Sequence, residues 1–298
     1  MKRIGIKQKN KVFALILVFP TVLVIVALTI FPIFYNFYLS FFQKHAFLDQ
    51  KEPIGLKNYI DIMKNPEFWS SFKNGIIYAV STTVLQMIIG VSGALILNER
   101  FKGRNFMRGI MLFPYLMPTV VVIILWKWLL NASYGLINYI FSLLGIIDKP
   151  IVWLSENNIM ITLILISVWQ FFPFVLVTAL ARLQTIPEDL YRAARVDGAP
   201  PVSRFIHITL PQLKNVLFTI LLLRAIWMFT KFDTVWLLAG KEAVGKYIQT
   251  IPVLTFRRTF DYLQAGMGAA LSVILFLVLL TGAILYLQTI MRSVRQLD

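Results

Sequence analysis

Residues 12–43 read VFALILVFPTVLVIVALTIFPIFYNFYLSFFQ, a run of 32 residues without a charged side chain. A helix needs about 20 consecutive apolar residues to cross a hydrocarbon core of about 30 Å. The stretch therefore predicts a membrane-spanning helix. Basic residues precede it, as they precede a secretory signal peptide, but the apolar core of a signal peptide covers only about 7 to 15 residues. We interpret the stretch as an uncleaved first span.

The same pattern recurs along the rest of the chain. Four further uncharged stretches predict spans, and they are residues 74–98, 109–126, 157–181 and 262–291. A sixth span is predicted from Pro211 to Trp236, although it contains Arg224. Gly90 and Ala94 stand four residues apart in the second span, a spacing of small residues that predicts close helix packing. The predicted fold class is all-α, a polytopic membrane protein with about six transmembrane helices.

The composition excludes a soluble enzyme. Hydrophobic residues make up 58% of the chain, charged residues only 14%, and the mean hydropathy is +0.74, whereas soluble domains carry roughly 25% charge. The chain has no cysteine and two histidines. Disulfides, cysteine-ligated metals and thiol catalysis are therefore excluded, and we expect no metal site and no cofactor bound by this chain itself.

The net charge of +15 is distributed as a topology signal rather than as a nucleic-acid footprint. The basic residues concentrate in the N-tail (Lys2, Arg3, Lys7, Lys9, Lys11), after the second span (Arg100, Lys102, Arg104, Arg108) and after the fourth (Arg182, Arg192, Arg195, Arg204, Lys214). Because cytoplasmic loops are enriched in Lys and Arg, we expect both termini in the cytoplasm. The last outer loop, which is also basic, is the one exception.

The loop after the fourth span, residues 185–211, reads TIPEDLYRAARVDGAPPVSRFIHITLP. Thr185 and Glu188 stand at the spacing of a capping box, which predicts a helix running to about Asp197. Gly198 can adopt the left-handed conformation that ends a helix, and the two prolines after Ala199 bar its continuation. A second short helix is predicted from residue 201 to about residue 208.

The residues of the first helix leave two interpretations open. A short helix with a small alanine face can dock into a groove on another protein. The same helix can lie on the bilayer surface, with Arg192 and Arg195 meeting anionic headgroups.

Ala193-Ala194, Gly198 after three intervening residues, and Ile208, Leu210 and Pro211 after nine more match the EAA motif, E-A-A, three residues, G, nine residues, I-x-L-P. The chain thus resembles the membrane subunits of binding-protein-dependent importers, in the carbohydrate branch of maltose, lactose and glycerol-phosphate type. Arg192 stands where the family has Glu. Other similar stretches are Phe31-Pro32, residues 55–59, Phe113-Pro114 and residues 232–236.

The resemblance implies the type I ABC importer permease fold in the bacterial cytoplasmic (inner) membrane. It implies half of a translocation path for a sugar, a second homologous permease subunit, an extracytoplasmic solute-binding protein and two ATP-binding subunits that hold the ATP. The residues it assigns to ATPase coupling are Glu188, Leu190, Tyr191, Arg192, Ala193, Ala194, Asp197, Gly198, Ala199, Pro200, Ile208, Leu210 and Pro211. We expect no catalytic residue and no nucleic-acid partner.

The predicted organisation has three parts. Residues 1–71 hold the N-tail, first span and outer loop, residues 72–290 form the core with the coupling loop 185–211, and residues 291–298 are a cytoplasmic tail. Trp169, Gln170, Arg224 and Trp227 are candidate path residues, because sugars bind to aromatic faces and hydrogen-bonding groups. The competing interpretation is that the aromatic residues only pack, and that Arg224 faces a subunit interface or snorkels to the membrane surface.

Two alternative functions account for part of the sequence. A secondary carrier or channel without an ATPase would be expected to show acidic residues inside spans and inverted repeats, and the sequence shows neither. The same importer class with an anionic cargo such as glycerol phosphate would suit Arg224. Residues 240–247 nearly spell a phosphate-binding loop, but Tyr247 replaces its Ser or Thr and the segment falls on the outer face.

Overall fold

The structure, a computed structural model, describes residues 6–99, 101–239 and 243–295. The helices in chain order are α1 (Ile6–Ile25), α2 (Phe31–Leu39), α3 (Lys57–Lys64), α4 (Pro66–Asn98), α5 (Arg104–Leu116), α6 (Thr119–Leu129), α7 (Leu136–Leu143), α8 (Ile159–Leu183), α9 (Glu188–Val196), α10 (Pro201–Arg204), α11 (Leu210–Phe229), α12 (Asp233–Ala239), α13 (Ile251–Phe256) and α14 (Ala265–Arg295). Two short strands, β1 (Phe42–Lys44) and β2 (Lys51–Pro53), form an antiparallel hairpin. Lys2, Arg3, Arg100 and the start of the phosphate-loop-like segment lie outside the described residues.

The helices confirm a polytopic membrane protein of about six spans. Five helical segments are long and apolar enough to cross a membrane, namely Phe13–Leu39, Pro66–Asn98, Ile159–Leu183, Pro201–Phe229 and Ala265–Gln288. The pair α5 and α6 can supply the sixth as a broken span. Arg224 lies in the continuous helical segment Pro201–Phe229, whereas the predicted span ran to Trp236, which lies in the separate helix α12.

The third predicted span is not the straight helix that its apolar sequence suggested. Helices α5 and α6 meet at an angle of 98°. Met117 is extended, with φ −79° and ψ 135°, because a residue that precedes proline is disfavoured in the α-helical region. Pro118 also lacks the N–H that a continuing helix would use. The proline therefore breaks the span.

The short separate helix predicted after Pro200 is also wrong. Residues from Pro201 run through a π-helical turn at Phe205–Thr209 directly into α11. Pro201 fits the first turn of a helix, where its missing N–H has no intrahelical partner to lose. The wider π turn precedes Pro211, whose ring would clash with the carbonyl of His207 in a regular α-helix. The fifth span therefore begins immediately after the loop at Gly198.

The described residues form two compact units, the first made of residues up to 65 together with 255–278. In this unit Asn58 is buried beneath the hairpin, and its side-chain amide donates to the carbonyls of Ser40 (2.8 Å) and Phe42 (3.0 Å). The backbone N–H of Ala46 donates to the carbonyl of Leu263 at 2.9 Å. These bonds fix the loop that follows the first span.

The second unit, residues 66–254 and from 279 onward, is built on the packing of α4 against α8. A Cβ atom placed on Gly90 would lie 2.6 Å from the Cβ of Val175 and 3.0 Å from the backbone N of Leu176. Only glycine permits helices this close, which confirms the packing predicted from the small-residue spacing. The domain limits at residues 71 and 290 stay a prediction.

Candidate functional site

Helix α9 stands at the surface between the fourth and fifth spans, and none of its residues is buried. Glu188 and Asp189 occupy its first turn and Arg195 its last turn, an arrangement that complements the helix dipole at both ends. Leu190 is 44% exposed and Val196 88% exposed. The predicted helix is confirmed, and Leu190 and Val196 face outward from this chain.

The capping box predicted at the start of α9 is wrong. Pro187 occupies the N-cap position, and no side chain caps the helix. The hydroxyl of Thr185 instead donates to the carbonyl of Arg182 at 2.8 Å and accepts from the Arg182 guanidinium at 3.1 Å. Thr185 therefore belongs to the end of α8, because the carbonyls left open by the last turn of a helix compete for its hydroxyl.

The end of α9 is closed by Gly198, which has φ +75°. Its N–H donates to the carbonyl of Arg195 at 3.1 Å, and the N–H of Ala199 donates to the carbonyl of Ala194 at 2.9 Å. These two bonds constitute a Schellman motif, with Asp197 as the C-cap. No atom lies within 4 Å of a Cβ built on Gly198, so the requirement for glycine here is conformational and not steric.

The base of the loop is held to the spans on both sides. The hydroxyls of Tyr191 and Thr209 are hydrogen-bonded at 2.9 Å. Arg182 donates from Nε to the carbonyl of Gln212 at 3.0 Å and from its terminal N to the Gln212 Oε1 at 2.8 Å. Beneath them lies a buried cluster, packed by the side chains of Leu97, Leu176, Leu183, Ile186, Ile208 and Leu213.

The structure thus places the predicted coupling residues in one loop. The exposed ones are Glu188, Leu190, Arg192, Ala193, Asp197, Gly198, Pro200, Leu210 and Pro211, and the half-buried ones are Tyr191, Ala194, Ala199 and Ile208. Arg192, which replaces the family's Glu, pairs with Glu188 at 3.3 Å and Asp189 at 3.5 Å along its own helix. Exposed pairs of this kind contribute only about 0.3–0.5 kcal/mol, so Arg192 is available to a partner.

The four candidate path residues fall into two separate pairs. Trp169 stacks edge to face on Trp126 at 5.5 Å, and the side-chain amide of Gln170 lies 3.4 Å from the carbonyl of Met117 and from the hydroxyl of Thr119. Both contacts are with the broken third span. Trp169 and Gln170 therefore belong to a different part of the packed unit from Arg224.

Arg224 and Trp227 do lie together, with the Arg224 guanidinium 5.6 Å from the Trp227 ring. Arg224 is only 2% exposed, so the expectation that it snorkels or faces a subunit interface is wrong. Its Nε donates to Gln86 Oε1 at 2.8 Å, and a terminal N lies 3.6 Å from the Met228 sulfur. A buried charge needs such partners, because an unpaired one is costly inside a protein or a membrane.

A polar network beneath Arg224 was not foreseen from the sequence. Gln86 Nε2 donates to the carbonyl of Ser167 at 3.0 Å, and the Ser167 hydroxyl is bonded to the Tyr78 hydroxyl at 2.8 Å. The network ties α4, α8 and α11 together. The available signal was Gln86, the one side-chain amide in the interior of an uncharged span.

An aromatic surface covers the guanidinium, made of Tyr115, Phe171, Phe174 and Trp227. The Arg224 guanidinium lies 5.2 Å from the Phe171 ring and 5.8 Å from the Phe174 ring. Tyr115 and Trp227 are each 41% exposed, so their rings are accessible on this chain. The arrangement can stack an apolar face of a ligand, and it keeps the positive charge behind the rings. Across the described ranges, no cluster of three or more His, Cys, Asp or Glu residues could hold a metal ion.

The sequence matches one protein family and several transport permeases. Residues 86–293 match the family described as binding-protein-dependent transport system inner membrane component. The trehalose/maltose transport system permease protein MalF of Thermococcus litoralis is 35% identical over 284 residues, which cover 95% of either chain. The inner membrane ABC transporter permease protein YcjO of Escherichia coli is 30% identical over 283 residues, 94% of each chain.

The fold is similar to that of a chain in the crystal structure of a bacterial ABC transporter involved in the import of the acidic polysaccharide alginate. The TM-score is 0.83, with 21% sequence identity, 96% of this chain covered and 97% of that chain. At this level of identity the likeness establishes the fold.

Proposed function

Because the chain belongs to the family of binding-protein-dependent transport system inner membrane components, we propose that it carries a neutral sugar and is driven through helix α9. Membership makes the chain a multi-pass inner-membrane protein and a translocation subunit of an ABC importer. The cargo and the route of coupling are the proposal.

A sugar cargo is supported by the relatives and by the aromatic surface. The 35% identical relative is a trehalose/maltose permease by its name. Aromatic walls with a few polar groups are typical of sites for small ligands, and Tyr115 and Trp227 offer such walls. The charge of Arg224 is already bonded to Gln86 and lies behind rings, so it is not presented to an anion. We therefore favour a neutral cargo over glycerol phosphate.

The coupling role rests on one observation, an exposed helix that is tied to the fifth span and closed by a fixed turn. The Tyr191–Thr209 hydrogen bond joins α9 to the start of the fifth span, and the Schellman motif at Gly198 fixes the backbone where α9 ends. A stiff element of this kind transmits a rigid-body movement, which a flexible loop would absorb. In this proposal two ATP-binding subunits bind the ATP, and one of them contacts α9. A second permease subunit completes the translocation path, and an extracytoplasmic binding protein delivers the sugar.

Uptake measurements test the cargo. Cells of the native host that lack this chain are complemented with the unaltered chain, Trp227→Ala or Trp128→Ala, and are supplied with radiolabelled neutral and carboxylated disaccharides. Trp128 is the control, since it is 55% exposed on α6 and outside the aromatic surface. We expect neutral disaccharide uptake by the unaltered chain, a loss of about tenfold in Trp227→Ala from a missing stacking contact of about 1.4 kcal/mol, and little change in the control.

Preference for the carboxylated sugar would contradict a neutral cargo. Equal uptake by the two tryptophan variants would remove the aromatic surface from the path, and the coupling role of α9 would stand independently of either result.

A further inference from the structure

The second unit contains a cavity of about 400 Å³ beside the broken third span. Among the residues that line it are Ile89 on α4, Trp126 on α6, Phe141 on α7, and Leu165 and Trp169 on α8. The lining is aliphatic and aromatic apart from Thr162, whose hydroxyl already donates to the carbonyl of Trp153 at 2.8 Å. A sugar would find almost no hydrogen-bonding group here, so the cavity does not suit the cargo even though it includes Trp169.

The depth of the cavity corresponds to one leaflet of a bilayer. On α8 the lining runs from Thr162 to Phe172, and ten residues of helix rise about 15 Å. The hydrocarbon core is about 30 Å thick, so the lining covers about half of it. The other end of α8, at Leu183, leads into the loop that carries α9. The cavity therefore lies in the half of the spans remote from α9.

The cavity opens onto an apolar surface that is exposed on this chain. Its lining residues Ile89 and Leu165 are 43% and 49% exposed. Their neighbours outside the cavity, Ile88 on α4 and Ile161 on α8, are 58% and 56% exposed. A cavity this apolar does not hold water, because a buried water needs two to four polar partners and the unpaired indole N–H of Trp126 offers only one donor. Hydrocarbon surrounds a spanning helix wherever no other protein covers it.

We propose that this cavity binds one acyl chain of a diacyl lipid from the leaflet remote from α9. The length of the lining, its apolar character and its continuity with the exposed faces of α4 and α8 define the ligand as a hydrocarbon chain anchored at that membrane surface. Trp153, which precedes α8, lines the end nearer the surface, where tryptophan is enriched in membrane proteins. The bound chain fills the space between α8 and the helices α6 and α7.

Photocross-linking tests the proposal. The full chain, purified in its native complex, is placed in nanodiscs that contain phosphatidylglycerol with a diazirine midway along one acyl chain. After irradiation the labelled residues are mapped by mass spectrometry. We expect label concentrated between residues 162 and 172 of α8 and on α6 and α7. Label spread evenly over the exposed helices would overturn the proposal, as would absence of label from residues 162–172 because a second subunit covers the opening.

A matched pair of variants sharpens the test. Leu165→Trp fills the opening, whereas Ile161→Trp adds the same bulk one turn away on the same helix, outside the cavity. Both positions are about half exposed, so both variants should fold. We expect labelling of the cavity to fall about tenfold in Leu165→Trp, equivalent to about 1.4 kcal/mol of binding, and to persist in Ile161→Trp. Equal labelling in the two variants would overturn the proposal, and if Leu165→Trp does not fold, the map on the unaltered chain decides.

Discussion

Gly198 shows how one residue determines the shape of the coupling loop. Its φ of +75° lies in the region that residues with a Cβ rarely adopt, and two hydrogen bonds of the helix end depend on that conformation. Gly198, with two prolines after Ala199, made this turn predictable from the sequence. The role of Thr185 was not predictable in the same way, because its hydroxyl could serve either the end of α8 or the start of α9.

Replacement of Gly198 separates backbone conformation from bulk. Gly198→Val is expected to insert in the membrane but to lose solute-stimulated ATP hydrolysis in the assembled complex, because a β-branched residue at positive φ is strongly disfavoured. Gly198→Asn should retain most of the stimulated hydrolysis, since Asn tolerates the left-handed conformation. A colorimetric phosphate assay on both purified complexes measures the difference. Full stimulated activity in Gly198→Val would remove Gly198 from coupling.

Arg224 and Gln86 form a buried pair that no local pattern could reveal. The sequence marked Arg224 as unusual, but its acceptor lies 138 residues away on α4. Only the packed arrangement of α4, α8 and α11 brings the two groups together. Sequence therefore indicated that a partner was needed, without indicating which one.

Replacing Gln86 alone should lower the free energy of unfolding more than replacing Gln86 and Arg224 together. Gln86→Leu leaves the guanidinium buried without its acceptor, and we expect a loss of about 3 kcal/mol in the free energy of unfolding. Gln86→Leu combined with Arg224→Met should recover most of that loss, because the buried charge is gone. Unfolding of the purified variants in mild detergent, analysed as a double-mutant cycle, measures the coupling. Additive losses would show that the pair is not energetically linked.

At the scale of helices, the structure differs from the sequence interpretation where prolines act. Apolar length alone predicted a straight third span, yet Pro118 bends it by 98°. Pro211, in contrast, is accommodated by a π-helical turn and the fifth span continues through it. The same residue type thus breaks one span and not the other, and the difference depends on local backbone geometry that hydropathy does not record.

The close approach of α4 and α8 leads to a prediction at Gly90. Gly90→Ala places a Cβ 2.6 Å from that of Val175, and overpacking of this kind costs about 1–3 kcal/mol. Gly109→Ala on α5 is the control, because no atom lies within 4 Å of its Cβ and alanine favours a helix by about 1 kcal/mol over glycine. Thermal unfolding in detergent should therefore show a lower midpoint for Gly90→Ala only. Equal midpoints would contradict the packing.

At the scale of the whole molecule, the approximate number of spans and the position of the loop motif were predictable because hydrophobic length and motif spacing are local properties. Membership of the importer family, supported by 35% identity over 284 residues, agrees with the number of spans and with the loop motif.

Only one residue of the aromatic surface over Arg224 was predicted from the sequence. Trp227 was identified as a candidate, but Trp169 and Gln170 contact the broken span, since their direction depends on how α8 is rotated in the packed unit.

The central claim is that α9 docks onto an ATP-binding subunit. The chain has no cysteine, so Ala193→Cys introduces a single thiol at an exposed position of α9. Phe47→Cys, 76% exposed in the hairpin loop after the first span, is the control. Each tagged variant is treated in native membranes with a cross-linker that has a thiol-directed group at one end and a photoreactive group at the other, and is irradiated and then purified. We predict that Ala193→Cys is recovered covalently joined to an ATP-binding protein and that Phe47→Cys is not. Cross-linking of Ala193→Cys to lipid alone, or recovery of the chain without any ATP-binding protein, would contradict the account.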